Sequence, residues 1–126
     1  MNTEAVRVVV VDDEPDVLLL LRLQLSALPG IEVVATATNG MEALDACRNL
    51  HPDAVVMDLL MPAVNGFEAI EVLRREQPDV HVVAYTAVAG DYVRAETERL
   101  QVPLVLKSGD VRPLVAALIP GAGDGD

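Results

Sequence analysis

Short aliphatic runs alternate along this chain with stretches whose apolar residues recur at helical spacing. Val6–Val11 is a β-branched run, and a run without polar alternation reads as a strand buried on both faces. Val17, Leu18, Leu21, Leu25 and Leu28 then repeat at the period of a helix that starts at Pro15, and Pro29-Gly30 stops it. Ile31–Ala37 reads as a second strand. Asn39-Gly40 turns the chain into a helix carrying Met41, Leu44, Cys47 and Leu50, which ends at His51-Pro52. Ala54–Met57 is a third strand, closed by Asp58. A loop over 59–65, with Met61-Pro62, leads through Gly66 to a helix over 67–76 with Phe67, Ile70, Val72 and Leu73 apolar.

The second half follows the same alternation. Pro78-Asp79 breaks the chain before a fourth strand over 80–85 that ends at Thr86. Asp91–Leu100 is a helix with a thin stripe of Val93, Leu100 and Tyr92. Leu104–Leu106 is a short fifth strand ending at Lys107. Asp110 can N-cap a last helix over 111–119, with Pro113 in the tolerated first turn. Five strand–helix units in succession predict right-handed crossovers and a parallel sheet covered on both faces. Ligands of such sheets sit beyond the carboxyl ends of the strands.

Size and charge narrow this picture. With 126 residues the chain is one domain, and at 52% hydrophobic but 2% aromatic its core must be aliphatic. The net charge of −11 opposes direct binding to nucleic acid or to an anionic membrane. A single cysteine, Cys47, excludes an intramolecular disulfide and a cysteine-based zinc site. No run approaches the length of a membrane span, and residues 1–7 lack the apolar segment of a signal peptide, so the expected location is cytoplasmic. Residues 1–120 are expected to form the domain, and the Gly/Asp-rich segment 121–126 a mobile tail or linker stump.

The five strand ends carry Asp12 and Asp13, Ala37 and Thr38, Asp58, Thr86, and Lys107. Lys107 is the only lysine among nine basic residues. Each residue taken alone has an ordinary structural use: Asp12 and Asp13 can start a helix, Asp58 can hold an Asx turn, Thr86 can cap, and Lys107 can sit at the surface. Together they describe complementary chemistry. Three clustered carboxylates resist ionisation unless a cation lies among them, and hard oxygen ligands suit Mg²⁺. A carboxylate beside Mg²⁺ can attack a phosphoryl group, while an ammonium and a hydroxyl stabilise the charge on its oxygens. His51 and His81 fall at the opposite sheet edge and read as surface or packing residues, as Cys47, Met57 and Met61 read as packing.

These residues carry a resemblance. Val-Val-Asp12-Asp13-Glu14-Pro15, Met57-Asp58-Leu-Leu-Met61-Pro62-Ala-Val-Asn65-Gly66, Tyr85-Thr86-Ala87 and Leu-Val-Leu-Lys107 resemble, in order and spacing, the receiver domain of two-component response regulators over residues 6–119. The resemblance implies a flavodoxin-like α/β fold, (βα)₅, with strand order 2-1-3-4-5. It implies that Asp58 is the phospho-acceptor and that Thr86 and Lys107 bind phosphoryl oxygens. Asp13 would be a direct Mg²⁺ ligand and Asp12 one through water, with Asp58 and the backbone carbonyl of Leu60 completing the protein ligands. A sensor histidine kinase would be the donor, the surface of the fourth helix, fifth strand and fifth helix would switch, and phosphorylation-dependent homodimerisation is expected there. On this reading the chain is no enzyme beyond catalysing its own phosphorylation and dephosphorylation.

Three features depart from the family pattern. Leu104 stands where an aromatic residue is usual, Ser108 follows the lysine where a cis proline is usual, and Leu100-Gln101-Val102-Pro103 replaces a Gly-Ala before the fifth strand. A trans bond before Ser108 is expected, because a non-proline cis bond costs about 2.5–4 kcal/mol. Leu60 and Val88, which should flank the approach of a hydrolytic water, are both aliphatic, so a long-lived aspartyl phosphate is expected. The competing readings are a phosphorylation-independent interaction module of the same fold and enzymes of related folds. A haloacid-dehalogenase-type phosphatase wants a second Asp where Leu60 stands. A dinucleotide-binding domain wants a glycine-rich turn after the first strand, and a flavodoxin-like redox role wants a Ser/Thr-rich loop there; Asp12–Pro15 is neither.

Overall fold

The computed structural model describes residues 5–59, 66–87 and 89–119. The elements alternate as β1 Val6–Val11, α1 Pro15–Ser26, β2 Ile31–Ala37, α2 Gly40–Leu50, β3 Ala54–Met57, α3 Gly66–Glu76, β4 His81–Thr86, α4 Asp91–Leu100, β5 Leu104–Leu106 and α5 Arg112–Leu118. All strand pairs are parallel, in the order β2-β1-β3-β4-β5. The expected doubly wound sheet is therefore present.

The sheet divides the aliphatic core into two layers. Val8 and Val10 of β1 face Leu18, Leu21 and Leu25 of α1 and Leu114 and Leu118 of α5. Val9 and Val11 face the other way, toward Leu44 of α2, Ile70 and Leu73 of α3 and Val93 of α4. Val8, Val9 and Val10 are fully buried and Val11 is 1% exposed, which is why β1 shows no polar alternation.

The helix starts show how local chemistry sets boundaries. Pro15 opens α1 with its fixed φ, and Asp16 lies favourably in the first turn. Asn39 caps α2: its Oδ1 accepts from the Glu42 amide at 2.9 Å, while Glu42 Oε1 accepts from Thr38 N at 2.8 Å. Those bonds to Thr38 hold the Glu42 carboxyl below its ordinary range. α4 and α2 end in left-handed residues, Gln101 and His51.

Several boundaries differ from expectation. α3 begins at Gly66 and β4 at His81, because the Val80 amide is used in a turn to the Gln77 carbonyl at 3.0 Å. Val111, not Asp110, is the N-cap of α5, although Asp110 Oδ1 still accepts from the Arg112 amide at 3.0 Å. Met41 is 52% exposed instead of lining the core, and Tyr92 is 69% exposed. In α4 the second buried residue is Thr97, whose hydroxyl donates to the Arg94 carbonyl at 3.0 Å and so needs no polar partner outside its helix. No helix among the described residues is long and apolar enough to cross a membrane.

Candidate functional site

β1 and β3 are neighbours in register, Val11 beside Met57, so Asp12 and Asp58 leave the sheet side by side. The Asp58 amide donates to the Val11 carbonyl at 3.1 Å, and the Asp12 amide to the Ala37 carbonyl at 3.1 Å, which continues the ladders to the brink of the site. Asp12 is 1% exposed and Asp58 6% exposed, while Asp13 is half-buried. Asp12, Asp13 and Asp58 each offer a carboxylate oxygen, and these oxygens lie within 4.8 Å of one another. That spacing is close enough for the three to share one hard cation, directly or through water.

Lys107 supplies the counter-charge from the other side. It leaves β5 with its amide donating to the Thr86 carbonyl at 2.8 Å. Its Nζ donates to Asp12 Oδ2 at 2.5 Å and stands 3.6 Å from Asp58 Oδ2. Burial works to lower the ammonium's pKa, but the Asp12 hydrogen bond and the charges of Asp58 and Asp12 outweigh it and hold it above its ordinary value. Thr86 closes β4 at the same edge, fully buried.

Asp12 divides its two oxygens. Oδ2 takes Lys107, and Oδ1 accepts from the Glu14 amide at 2.9 Å, which fixes the turn into α1. One side chain thus both starts the turn into α1 and takes its place in the acidic cluster.

The expected cluster of Asp12, Asp13, Asp58 and Lys107 is brought together, with Thr86 at the same sheet edge. Leu60, Met61, Pro62, Asn65 and Val88, as well as the segment 121–126, lie outside the described residues. No cis peptide bond occurs among the described residues, so the bond before Ser108 is trans as expected. Leu104 is half-buried and packs on the α2-α3-α4 layer. His51 is exposed at the end of α2, and His81 Nε2 lies 2.7 Å from the Ala117 carbonyl, pinning β4 to α5 far from the acids. Cys47 is fully buried, and burial pushes its thiol up to about 11, so it is a packing residue.

Two residues quoted in the motifs make contacts that the sequence does not show. The first is Gly66. A Cβ there would run into the Asp58 carbonyl oxygen and come within 2.8 Å of Leu59 Cα, both backbone atoms that cannot step aside. Glycine at 66 therefore lets α3 start directly against the Asp58 segment. Its legible signals were its place just before the helix and at the end of the motif that begins at Met57. The second is Tyr85, whose ring centroid lies 5.9 Å from Lys107 Nζ.

Comparison with known proteins places this geometry. A model of the response regulator receiver domain matches residues 8–118. The response regulator domain of Thermotoga maritima CheB superposes with a TM-score of 0.78 at 26% identity, covering 90% of this chain and 89% of that one. A two-component response regulator of the LuxR family from Aurantimonas sp. SI85-9A1 gives a TM-score of 0.82 at 32% identity, covering 89% of this chain and 81% of that one. Among sequences, a protein-glutamate methylesterase/protein-glutamine glutaminase of Geobacter metallireducens is 51% identical over 57 residues, which are 45% of this chain and 16% of that protein. The matched segment thus spans under a fifth of such relatives. With the parallel 2-1-3-4-5 sheet and a match over most of its length, the chain belongs to the response regulator receiver domain family of two-component signalling.

Proposed function

We propose that this domain is a phosphorylation-controlled switch in which Asp58 accepts a phosphoryl group. The observation that carries the reading is the meeting of Asp12, Asp13, Asp58 and Lys107 at the carboxyl edge of the sheet. A histidine kinase or a small phosphodonor is the proposed source. An Asp58 carboxylate oxygen attacks phosphorus, the bond from phosphorus to the donor's leaving group breaks with its electron pair, and an aspartyl phosphate results. Lys107 then exchanges Asp12 for a phosphoryl oxygen, and the Thr86 hydroxyl donates to another.

The donor set fits Mg²⁺: three carboxylate oxygens within 4.8 Å, with Lys107 as the cation that now offsets two of them. Asp12, Asp13 and Asp58 would hold the ion, and the Leu60 carbonyl is the further ligand implied by the family. When bound, Mg²⁺ supplies charge neutralisation among the carboxylates and polarises a phosphoryl oxygen.

The switching surface in this proposal is α4, β5 and α5. β5 has only three residues, and α4 buries only Val93 and Thr97, so a small pull on Thr86 and Lys107 can reposition this region. Exposed Tyr92 and Leu106 give it apolar contact area for phosphorylation-dependent dimerisation. The proposal extends to neither the methylesterase nor the glutaminase activity named for relatives of which the match covers 16%. Intact mass tests it: wild type incubated with a small phosphodonor should gain one phosphoryl mass with Mg²⁺ and none after chelation. No gain in either condition would favour an interaction module that works without phosphorylation.

A further inference from the structure

We propose that Tyr85 is a positioning residue for Lys107, holding the ammonium over the acidic edge from the sheet face covered by α1 and α5. The inference rests on the phospho-acceptor reading of Asp58 and adds a residue to it. β5 and β1 are three strand spacings apart in the order 2-1-3-4-5, about 14 Å, so the lysine stem must extend across the end of the sheet to reach Asp12. A four-carbon stem has many rotamers, and something must favour this one.

Tyr85 meets that need. It is 5% exposed, packs in the α1-α5 layer, and pairs in register with Val105 of β5, two residues before Lys107. Its ring centroid stands 5.9 Å from Nζ, inside the range over which a ring attracts a cation. The ring belongs to the core cluster of Leu18, Leu21 and Leu25 of α1, and a cleft of about 180 Å³ lined by Tyr85, Lys107, Leu20 and Gln24 among others leaves the lysine room to move. Gly109, at φ +85°, makes the turn on the far side.

The other aromatics do not compete for this role. Phe67 and Tyr92 pair with each other edge to face, with centroids 5.8 Å apart and planes at 80°. Leu104, where the family usually has an aromatic, packs in the opposite layer. In this chain the aromatic contact to the site's cation thus comes from the α1-α5 side. As Lys107 passes from Asp12 to a phosphoryl oxygen, the ring gives the ammonium a continuous attractive surface and limits the stem's wandering.

The test compares Tyr85→Phe, which keeps the ring, with Tyr85→Leu, which keeps apolar bulk alone. Lys107 is the only lysine, so a lysine-selective isotope label reports this side chain without overlap. In wild type and Tyr85→Phe the Lys107 ε-protons should lie upfield of their free-lysine position through the ring current. In Tyr85→Leu they should return toward it. With a small phosphodonor and Mg²⁺, Tyr85→Leu should be phosphorylated about two- to fivefold more slowly, and Tyr85→Phe at close to the wild-type rate. A wild-type Lys107 without the upfield shift overturns the proposal, whether or not Tyr85→Leu folds. So does a folded Tyr85→Leu that keeps both the shift and the rate. The resonance reads the contact even if Asp58 accepts no phosphoryl group, so failure of the contact and failure of the phospho-acceptor reading are told apart.

Discussion

Lys107 Nζ is bonded to Asp12 Oδ2 at 2.5 Å, closing a contact between residues 95 positions apart and joining the ends of β1 and β5. The same ammonium is 3.6 Å from Asp58, so it stands beside both buried carboxylates and, in the proposed switch, is the group that changes partner. Its shape therefore matters as much as its charge. A compact ammonium can turn between the two, whereas a guanidinium is a wide planar fork. Lys107→Arg is expected to fold, to keep Mg²⁺ binding, and to respond poorly to phosphorylation. Following a phosphorylation-dependent change, such as dimerisation by light scattering, checks this; a full response would show that charge alone suffices.

Asp13 adds a third negative group to that pair and forms no ion pair among those described for Lys107. Without a metal, its charge is repelled by Asp12 and Asp58. Asp13→Asn should therefore raise the stability of the metal-free domain, by about 0.5–1.5 kcal/mol, and remove most of the stabilisation that Mg²⁺ gives wild type. Thermal unfolding with and without Mg²⁺ measures both. A destabilised variant that still gains from Mg²⁺ would contradict this arrangement.

Gly66→Ala places a methyl group against the Asp58 backbone. The backbone must move, at a cost of about 1–3 kcal/mol, and it moves Asp58, the proposed acceptor, with it. Denaturant unfolding should show the loss of stability, and phosphorylation should slow more than the lost stability explains, because the folded fraction stays high. An unchanged rate in folded Gly66→Ala would show that the Asp58 position tolerates the shift.

How much of this was legible differs by element. β1, β2, β3, α4 and β5 have the boundaries that the residue pattern predicts; for the strands, short aliphatic runs between breaker signals leave little choice. The convergence of Asp12, Asp58 and Lys107 was legible for a topological reason: in a parallel sheet every strand ends on the same edge. What escaped depends on distance across the sheet. Nothing local to Gly66 says that the Asp58 carbonyl lies against it, and nothing local to Tyr85 says that Lys107, from the next strand, will come over its ring. Thr97 is not on the predicted apolar stripe of α4, and its bond to Arg94 within the helix makes its burial inexpensive. Met41 looked apolar enough for the core but falls on the outer face of α2.

The lifetime of the modified state is a separate prediction, carried by the sequence at Leu60 and Val88. A hydrolytic water needs hydrogen bonds to orient it in line, and two aliphatic side chains offer none. The proposed aspartyl phosphate is expected to be long-lived, leaving switch-off to reverse transfer or a separate phosphatase. Leu60→Asn and Val88→Glu, singly and together, should speed its loss several-fold at fixed Mg²⁺, since tenfold needs only about 1.4 kcal/mol. Unchanged or slower loss in all three variants would mean that access at this edge does not set the lifetime.

The most direct measurement locates the phosphoryl group by chemistry. An acyl phosphate is reduced by borohydride to an alcohol, so a phosphorylated aspartate becomes homoserine and can be read in a peptide mass spectrum. After incubation with a phosphodonor and Mg²⁺, homoserine is predicted at position 58 alone, and Asp58→Ala should yield none anywhere. Homoserine at Asp12 or Asp13 in the wild-type protein, or a normal phosphoryl gain in Asp58→Ala, would contradict the assignment of Asp58 as the acceptor.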